Sequence, residues 1–312
     1  GMVNGVLRNM VRQGVRSTNE ISDRTERLAI ETSHPVWLVK RWITQYGFEE
    51  TEQMCNKNLE PPQVSVRVNQ TLSTVDEVIE LLHTENIEAV KGHLSDDALI
   101  IVKGNVTHTE AFQNGLITIQ DESSMLVARA LGPEKGMKVL DCCAAPGGKT
   151  THLAERMDNS GEVVALDLHK HKVDLINQAA KRLKLSIIQG EALDARKVEQ
   201  KFSAESFDAV LVDAPCSGLG VIRRKPDIKW TKTANDINAI KKIQKEIIRA
   251  VFPLLTVGGR LVYSTCTTDK AENDEVVDWI LTEFPNLKTD ATLQDRLPES
   301  LVSKGRQETG KV

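Results

Sequence analysis

Two cysteines of this chain follow apolar runs that are typical of buried β-strands. Cys216 stands in FDAVLVDAPCSG, shortly after Asp213, and Cys266 stands in GRLVYSTCTT. Because parallel strands bring their carboxyl ends to one edge of a sheet, both thiols and the acid are expected at that edge. A lone buried cysteine is usually a small apolar packing residue, but a thiolate stabilised by positive charge or amide dipoles is a strong nucleophile. The pairing therefore predicts covalent chemistry by cysteine.

A second candidate site is the stretch KVLDCCAAPGGKT at residues 138–150. It predicts a strand, a tight turn and a helix start, where Gly147 and Gly148 let the backbone approach a bound group and the helix offers free amides. The spacing matches neither the GxGxxG dinucleotide pattern nor the GxxxxGK[ST] phosphate loop. A nucleotide without a phosphate chain is therefore the first candidate ligand, and an ordinary glycine-rich turn is the alternative. Cys142 and Cys143 are interpreted as packing residues of this turn.

Two acids at the ends of the next predicted strands fit a nucleoside. Asp167 closes the strand in VVALDLHKHK, and an acid about 20 residues beyond such a turn can accept hydrogen bonds from both ribose hydroxyls. Asp194, in GEALDAR, could accept a hydrogen bond from an adenine amino group, or it is a solvated loop acid. His169 and His171 lack partners for a metal, and none of the five cysteines forms a CxxC pair, so no metal is expected.

A basic segment, GLGVIRRKPDIKWTK, follows the first of the two strand-end cysteines. Residues 223–249 contain nine basic and three acidic residues, a local net charge of +6. Such a patch could hold phosphates on either side of a reacting base, and a solvated helix face is the alternative. The residues interpreted as RNA contacts are Arg223, Arg224, Lys225 and Lys229.

Length and composition bound the class of protein. The 312 residues are enough for two domains. The 40 basic and 44 acidic residues give a net charge of −4, so any site for nucleic acid or an anionic membrane must be a local patch. No stretch approaches 18 consecutive apolar residues and no signal-peptide pattern opens the chain. A soluble, cytoplasmic protein with reduced thiols and no membrane partner is therefore expected.

The periodicity of apolar residues predicts a two-part α/β organisation. A helical lead-in over residues 3–59 precedes a strand–helix–strand–strand unit at residues 64–102. From about residue 115, strands alternate with helices, which is typical of a parallel sheet with right-handed crossovers. We therefore predict a smaller helical and α+β (RNA-recognition-like) domain in residues 1–110 and a larger α/β domain in residues 111–312. The five strands of the larger domain are predicted at residues 138–141, 163–167, 186–189, 207–213 and 260–264.

Five segments carry a family resemblance: QDESSM at residues 120–125, DCCAAPGGKT, DAPCSGLG, RRKPDIKW and STCT. In these segments the chain resembles the Nol/Nop/Sun family of RNA cytosine-5 methyltransferases, and within it the bacterial Sun (Fmu) type that acts on 16S ribosomal RNA. The resemblance implies a Rossmann-like methyltransferase sheet, S-adenosylmethionine as cofactor and RNA as partner. Transfer RNA, DNA as a methyl acceptor, and a catalytically impaired ribosome-assembly RNA-binding protein are the alternatives. The oligomeric state is left open.

The resemblance also implies roles for the site residues. Cys266 of the STCT segment corresponds to the nucleophile that adds to C6 of the cytosine, and Cys216 to the residue that assists release. Asp213 would bind and protonate the base near N3 or its amino group, and Lys149 would support that acid electrostatically. The implied cofactor contacts are Cys143, Ala144, Ala145, Pro146, Gly147, Gly148, Lys149, Asp167, Lys172, Asp194 and Asp213.

The chain departs from the family pattern at three places. Lys172 stands where many members have arginine after the ribose acid, and either side chain can pair with a carboxylate. No DGFF-like segment of the family's C-terminal strand pair precedes Val312. The opening VNGVLRN is similar to the last helix of the NusB-like RNA-binding domain of Sun-type members. We therefore expect a chain that lacks the NusB-like domain and is truncated at its C-terminus.

Overall fold

The computed structural model describes residues 1–14 and 17–302. Its β-strands are β1 (Val64–Val68), β2 (Glu88–Lys91), β3 (Ala98–Lys103), β4 (Ile117–Ile119), β5 (Lys138–Asp141), β6 (Glu162–Asp167), β7 (Ile188–Ala192), β8 (Phe207–Asp213) and β9 (Leu255–Ser264). Its α-helices are α1 (Met2–Gln13), α2 (Arg24–Glu31), α3 (Val36–Tyr46), α4 (Phe48–Lys57), α5 (Val75–Thr84), α6 (Glu110–Gln113), α7 (Glu122–Leu131), α8 (Gly148–Arg156), α9 (Lys170–Arg182), α10 (Ile228–Thr231), α11 (Ala234–Val251), α12 (Asp274–Glu283), α13 (Leu293–Arg296) and α14 (Glu299–Val302).

The described residues form two compact units, and the first combines Gly1–Pro62 with Gly218–Thr233. It contains helices α1 to α4 and α10, so the predicted helical lead-in is confirmed. Asp23 starts α2 by accepting hydrogen bonds from the free amides of its first turn. Trp42 of α3 is fully buried in this unit. The basic segment that follows Cys216 therefore groups with the N-terminal helices.

The second unit combines Gln63–Ser217 with the described part of Ala234–Val312, and it contains two sheets. The first sheet has the strand order β2-β3-β1-β4, with antiparallel pairs throughout. Helix α5 connects β1 to β2, and α6 lies between β3 and β4, which gives the split β-α-β arrangement of ferredoxin-like domains. The sequence predicted the first three strands and α5 but missed α6 and β4, because elements of four and three residues show no measurable periodicity.

The second sheet has the strand order β7-β6-β5-β8-β9, and all of its neighbouring strands are parallel. Alternate residues of the central strand face opposite cores: Val139 packs in one buried cluster and Leu140 in the other. Helices cover both faces, which explains why these strands are apolar runs without alternation. The order of strands reverses between β5 and β8, where ligands of such sheets bind at the carboxyl ends. The predicted α/β fold with a Rossmann-like sheet is confirmed.

Two predicted strands differ from the observed ones in length. β7 begins and ends later than the predicted residues 186–189, and β9 begins at Leu255 instead of residue 260. Near the start of β9, residues 256–259 are Thr, Val, Gly and Gly, and the two adjacent glycines are typical of a turn. The pairing of Phe207 with Leu255, followed by a register shift, extends the strand through them.

A buried arginine of the first sheet reaches the helix that starts at the glycine turn. Arg67 of β1 is 0% exposed and forms an ion pair with Glu155 of α8, with N···O distances of 2.7 and 2.8 Å. The same guanidinium donates to the Gly148 carbonyl at 2.9 Å and to the Thr151 hydroxyl at 3.0 Å. The small sheet is therefore attached directly to the glycine turn by charge-assisted hydrogen bonds.

Three expectations from the sequence concern membrane-spanning helices, the C-terminal stretch and the domain boundary. No helix among the described residues is long and apolar enough to cross a membrane. The polar C-terminal stretch, residues 303–312, on which the expected truncation rests, lies outside the described residues. The predicted domain boundary between residues 110 and 111 stays a prediction; β4 joins the first sheet from beyond it.

Candidate active site

The two strand-end cysteines meet at the carboxyl edge of the second sheet. Asp213 and Ser264 are the last register partners of β8 and β9. In the loops that follow, the Sγ atoms of Cys216 and Cys266 lie 3.3 Å apart. The Cys266 amide also donates toward the Cys216 sulfur, with an N···S distance of 3.4 Å. The structure thus brings together two thiols that lie far apart in the sequence, as expected from parallel strand order.

The surroundings of Cys266 favour its thiolate. The hydrogen bond with Cys216 lowers the pKa of Cys266 from 9.0 to about 7, and Lys149 acts in the same direction, against burial and the charge of Asp213. Cys266 is also exposed to solvent. A thiol that is accessible and substantially ionised near neutral pH has the properties of a nucleophile.

Asp213 links this edge to the glycine turn. Its Oδ2 accepts a hydrogen bond from Lys149 Nζ at 2.7 Å, and its Oδ1 accepts one from the Ser264 hydroxyl at 2.8 Å. Lys149 lies in α8 after β5, whereas Asp213 ends β8, so the ion pair crosses the point where strand order reverses. Both side chains are partly exposed, at 18% and 26%. The pair can therefore hydrogen-bond a ligand placed at this edge.

The turn between β5 and α8 leaves room for a bound group. Gly147 has a φ of 104°, which only glycine adopts without strain, and its amide closes the turn on the Ala144 carbonyl at 2.7 Å. A Cβ atom added at Gly148 would meet no atom within 4 Å. In this turn, which runs from Cys143 through Ala144, Ala145 and Pro146 to Lys149, a ligand can therefore approach the backbone closely at Gly148.

A buried acid beneath this turn fits a ligand that brings a hydrogen-bond donor. Asp141, the last residue of β5, is fully buried, and its Oδ2 accepts a hydrogen bond from Thr150 at 2.7 Å. Its Oδ1 has no hydrogen-bond partner among the described residues. Burial raises the pKa of Asp141 to about 7. An ammonium group, such as that of S-adenosylmethionine, would supply the missing partner and stabilise the charge, so the residues present fit this cofactor.

Asp167, at the end of β6, and Asp194, after β7, have different hydrogen-bond partners. Asp167 accepts a hydrogen bond from the His169 amide at 3.0 Å, and Lys172 Nζ lies 3.8 Å from the same oxygen. Asp194 accepts several hydrogen bonds from Arg196, and these lower its pKa. Asp167 ends β6, the neighbour of β5, and Asp194 follows β7, the next strand outward, so both acids lie at the carboxyl edge where the cofactor is predicted. Asp194 is held by a protein partner, whereas the second oxygen of Asp167 accepts no hydrogen bond recorded among the described residues.

The two cysteines of the glycine turn are unlike the strand-end pair. Burial raises the pKa of Cys142 and of Cys143 well above the usual value for a thiol. Cys142 packs inside a core cluster, and Cys143 lies against the same cluster. Their interpretation as packing residues agrees with this environment, because a buried neutral thiol is a poor nucleophile.

The four basic residues predicted to contact RNA lie in the first unit, and their environments differ. Arg224 and Lys225 are exposed. Arg223 donates to the carbonyls of Glu60 and Pro61, and Lys229 is only 6% exposed. Burial lowers the pKa of Lys229. A buried lysine is poorly placed to bind a phosphate, so Arg224 and Lys225 are the better candidates for contact with RNA.

Lys229 has buried neighbours that explain its position. It lies near Cys55 and His34, and its charge adds to burial in lowering the pKa of His34 to about 4. The aliphatic stem of a lysine can fill apolar space, and this one attaches α10 to the N-terminal helices. This burial could not be predicted, because in the sequence Lys229 is one of four basic residues in RRKPDIKW and nothing distinguishes it from the others.

Two residues of the site were not predicted from the sequence. Asp141 is visible as an acid at a strand end, but its unpartnered oxygen depends on the surrounding core. Ser264, the register partner of Asp213, is an ordinary polar residue in the sequence, and only the pairing of β8 with β9 places its hydroxyl on that acid.

Comparison with known proteins identifies a methyltransferase family. The profile described as 16S rRNA methyltransferase RsmB/F matches residues 128–308, and that of the RsmF/B-like ferredoxin-like domain matches residues 34–107. The "Probable ribosomal RNA small subunit methyltransferase B" of Bacillus subtilis is 54% identical over 299 residues, which are 96% of this chain and 67% of that protein. The chain thus spans about two thirds of the length of this relative.

Solved structures agree with the fold. The crystal structure of PH0851 has a TM-score of 0.80 and 34% identity, covering 84% of this chain and 59% of that one. NSun6 from Pyrococcus horikoshii, solved with SFG, has a TM-score of 0.73 and 23% identity, covering 80% of this chain and 87% of that one, which shows a common fold. The family match confirms the predicted methyltransferase family and, with it, S-adenosylmethionine as the cofactor. The chain belongs to the RsmB/F family of 16S rRNA methyltransferases.

Proposed function

We propose that this chain transfers a methyl group from S-adenosylmethionine to C5 of a cytosine in 16S ribosomal RNA, through a covalent bond between Cys266 and C6. The observation that carries the proposal is the contact of two thiols, one with a lowered pKa, beside the Asp213–Lys149 pair. The name of the Bacillus subtilis relative supports the substrate, and ribosomal RNA as substrate supports a cytoplasmic location.

The first step activates the base. C5 of cytosine is a weak nucleophile, so the Cys266 thiolate adds to C6, and the electron pair of the C5–C6 double bond moves to C5. When bound, S-adenosylmethionine supplies an electrophilic methyl group on a sulfonium. C5 takes this methyl, and the electron pair of the broken carbon–sulfur bond stays on the departing sulfur. The lowered pKa of Cys266 matters here because only the thiolate adds.

Asp213 and Lys149 orient the base for this addition. The carboxyl group of Asp213 is held by Lys149 and Ser264 and is partly exposed. It accepts a hydrogen bond from the exocyclic amino group or, when protonated, donates its proton to N3, where negative charge builds up as the thiolate adds. Lys149, in the helix that follows the glycine turn, stabilises that charge.

Cys216 acts in the release of product. After methyl transfer, C5 carries both a proton and the methyl group. Cys216, after its own proton has passed to solvent, takes the C5 proton directly or through water; the electron pair of the C–H bond restores the C5–C6 double bond, and the Cys266–C6 bond breaks to return the thiolate. Its sulfur lies 3.3 Å from that of Cys266, so it is close to the same base.

RNA binding is assigned to the exposed part of the basic segment. In an RNA helix, stacking on the neighbouring bases covers the faces of a base, so the target cytosine must be unstacked before a thiolate can add to C6. Arg224 and Lys225 are exposed and would hold phosphates. Trp230, in the same segment, is 59% exposed and offers a ring on which a flanking base can stack.

The proposal is tested by bisulfite mapping of small-subunit RNA after incubation with the protein and donor. We expect one protected cytosine with the unaltered chain and with Cys55→Ala, a control that removes a buried thiol of the first unit. We expect none with Cys266→Ala. Protection in transfer RNA but not in 16S RNA would refute the substrate, and protection by Cys266→Ala would refute the mechanism.

A further inference from the structure

A fully buried acid joins the loops that carry the two thiols. Glu272, in the loop before α12, is 0% exposed. Its Oε1 accepts a hydrogen bond from the Ser217 amide at 2.9 Å, and its Oε2 accepts one from the Ser217 hydroxyl at 2.5 Å. The Ser217 hydroxyl also lies 2.7 Å from that of Thr267. Ser217 and Thr267 are the residues directly after Cys216 and Cys266, so the cluster joins the loops one residue beyond each thiol.

The rest of the cluster fixes Glu272 itself. Gln244 of α11, also fully buried, donates to Glu272 Oε1 at 3.1 Å and to the Pro215 carbonyl at 2.9 Å. The Tyr263 hydroxyl donates to the Glu272 carbonyl at 2.6 Å. Among the described residues, no lysine, arginine or histidine forms an ion pair with Glu272. A buried acid bound only by neutral donors is unusual, and it costs stability relative to an apolar side chain unless every contact is made.

The sheet alone does not fix the distance between the thiols. The strand pairing ends at Asp213 and Ser264, and one further backbone bond joins the Ala214 amide to the Ser264 carbonyl at 2.8 Å. Beyond this bond, Cys216 and Cys266 stand at different distances along the chain from the strand ends, and the described residues show no further strand pairing between the two loops. The Cys266 amide contacts the Cys216 sulfur at 3.4 Å, and the Glu272 cluster joins the two loops at the next residue of each; together these contacts hold the sulfur atoms at 3.3 Å.

We propose that Glu272 is a positioning residue, which keeps Cys216 and Cys266 in contact by binding Ser217 and, through it, Thr267. Its catalytic consequence rests on the function proposed above: the nucleophile at C6 and the group that removes the C5 proton must stand beside adjacent atoms of one ring. Without Glu272 the loop after β8 loses two hydrogen bonds to Ser217, and the two sulfur atoms separate.

The distance between the thiols can be tested without RNA or donor. Diamide, a dithiol oxidant, removes two electrons and two protons from a thiol pair in contact and is itself reduced to the hydrazine. The rate at which the Cys216–Cys266 disulfide forms is measured by peptide mass spectrometry. We expect Glu272→Ala to slow it at least tenfold, and Glu272→Gln, which keeps a carbonyl for the Ser217 amide, to slow it less.

The matched control is Glu275→Gln, which changes a nearby acid that is 56% exposed and paired with Lys241. We expect it to form the disulfide at the unaltered rate. If Glu272→Ala does not fold, Ser217→Ala tests the same link from the other side, with a slowing of several-fold expected. Equal rates in the folded Glu272 or Ser217 variants and the unaltered protein would overturn the proposal.

Two further readouts separate positioning from general damage to the fold. The affinity for S-adenosylmethionine should stay within about twofold in Glu272→Gln, because the glycine turn and the acids after β6 and β7 do not contact the cluster. Methyl transfer should fall through kcat rather than through the KM for RNA. If the unaltered chain methylates no RNA, the proposed function fails, but the disulfide rates still decide whether Glu272 positions the thiols.

Discussion

Replacing Cys216 by alanine should raise the pKa of Cys266. The hydrogen bond from Cys216 is the largest cause that lowers this pKa to about 7, so its loss moves the value toward the ordinary 9.0, while Lys149 keeps part of the effect. A full shift would reduce the thiolate fraction at pH 7 from about one half to about one hundredth, or roughly 50-fold. We therefore expect the thiolate fraction of Cys266 at pH 7 to fall between about tenfold and 50-fold in Cys216→Ala.

The assay is alkylation of Cys266 by iodoacetamide in the free protein between pH 5.5 and 9.5, followed by peptide mass spectrometry. The rate follows the thiolate, so it rises with pH and is half-maximal at the pKa. We expect a midpoint near pH 7 in the unaltered chain and in the Cys55→Ala control, and a midpoint at least one pH unit higher in Cys216→Ala. An unchanged midpoint in Cys216→Ala would refute the claim that contact between the thiols activates Cys266.

Three other changes test the supports of the site. Arg67→Met should lower the free energy of unfolding, measured in urea, by about 3 to 5 kcal/mol, because Glu155 stays buried without its partner. The same variant should bind S-adenosylmethionine more weakly in calorimetry, because the contact with the Gly148 carbonyl is lost. Lys149→Met should move the alkylation midpoint of Cys266 upward and reduce kcat at least tenfold, and an unchanged midpoint would contradict its electrostatic role. Trp230→Ala should raise the Kd for 16S RNA by about 5- to 150-fold, the range for loss of one stacked base, with unchanged donor affinity; equal RNA affinity would exclude stacking.

The main sheet and its edge were predictable because their signals are strong. The segments that form β5, β6 and β8 are apolar in their interior, and parallel order brings the residues after such strands together. The arrival of Cys216 and Cys266 at one edge of the sheet follows from this order, although they are 50 residues apart; the contact between their sulfur atoms does not. By contrast, β4 has three residues and was missed, because so short a segment carries no periodicity.

The supports of the site could not be predicted, because they depend on burial. Glu272 lies in TTDKAEND, a polar stretch that is typical of a solvated loop, and nothing there shows that neutral donors enclose it. Lys229 is one of several basic residues in its segment, and only the structure separates it from the exposed Arg224 and Lys225. Charge pattern predicts that a segment is basic; tertiary packing decides which of its charges reach solvent.

The covalent mechanism is tested most directly by trapping the protein on its RNA. Cys216→Ala, Cys266→Ala and the double variant are each incubated with S-adenosylmethionine and 16S RNA, and adducts are separated by denaturing electrophoresis and located by mass spectrometry. The account predicts an adduct only in Cys216→Ala, with a methylated cytosine joined to Cys266, because addition and methyl transfer proceed while release fails. An adduct that persists only in Cys266→Ala, joined to Cys216, would contradict the assignment of the nucleophile.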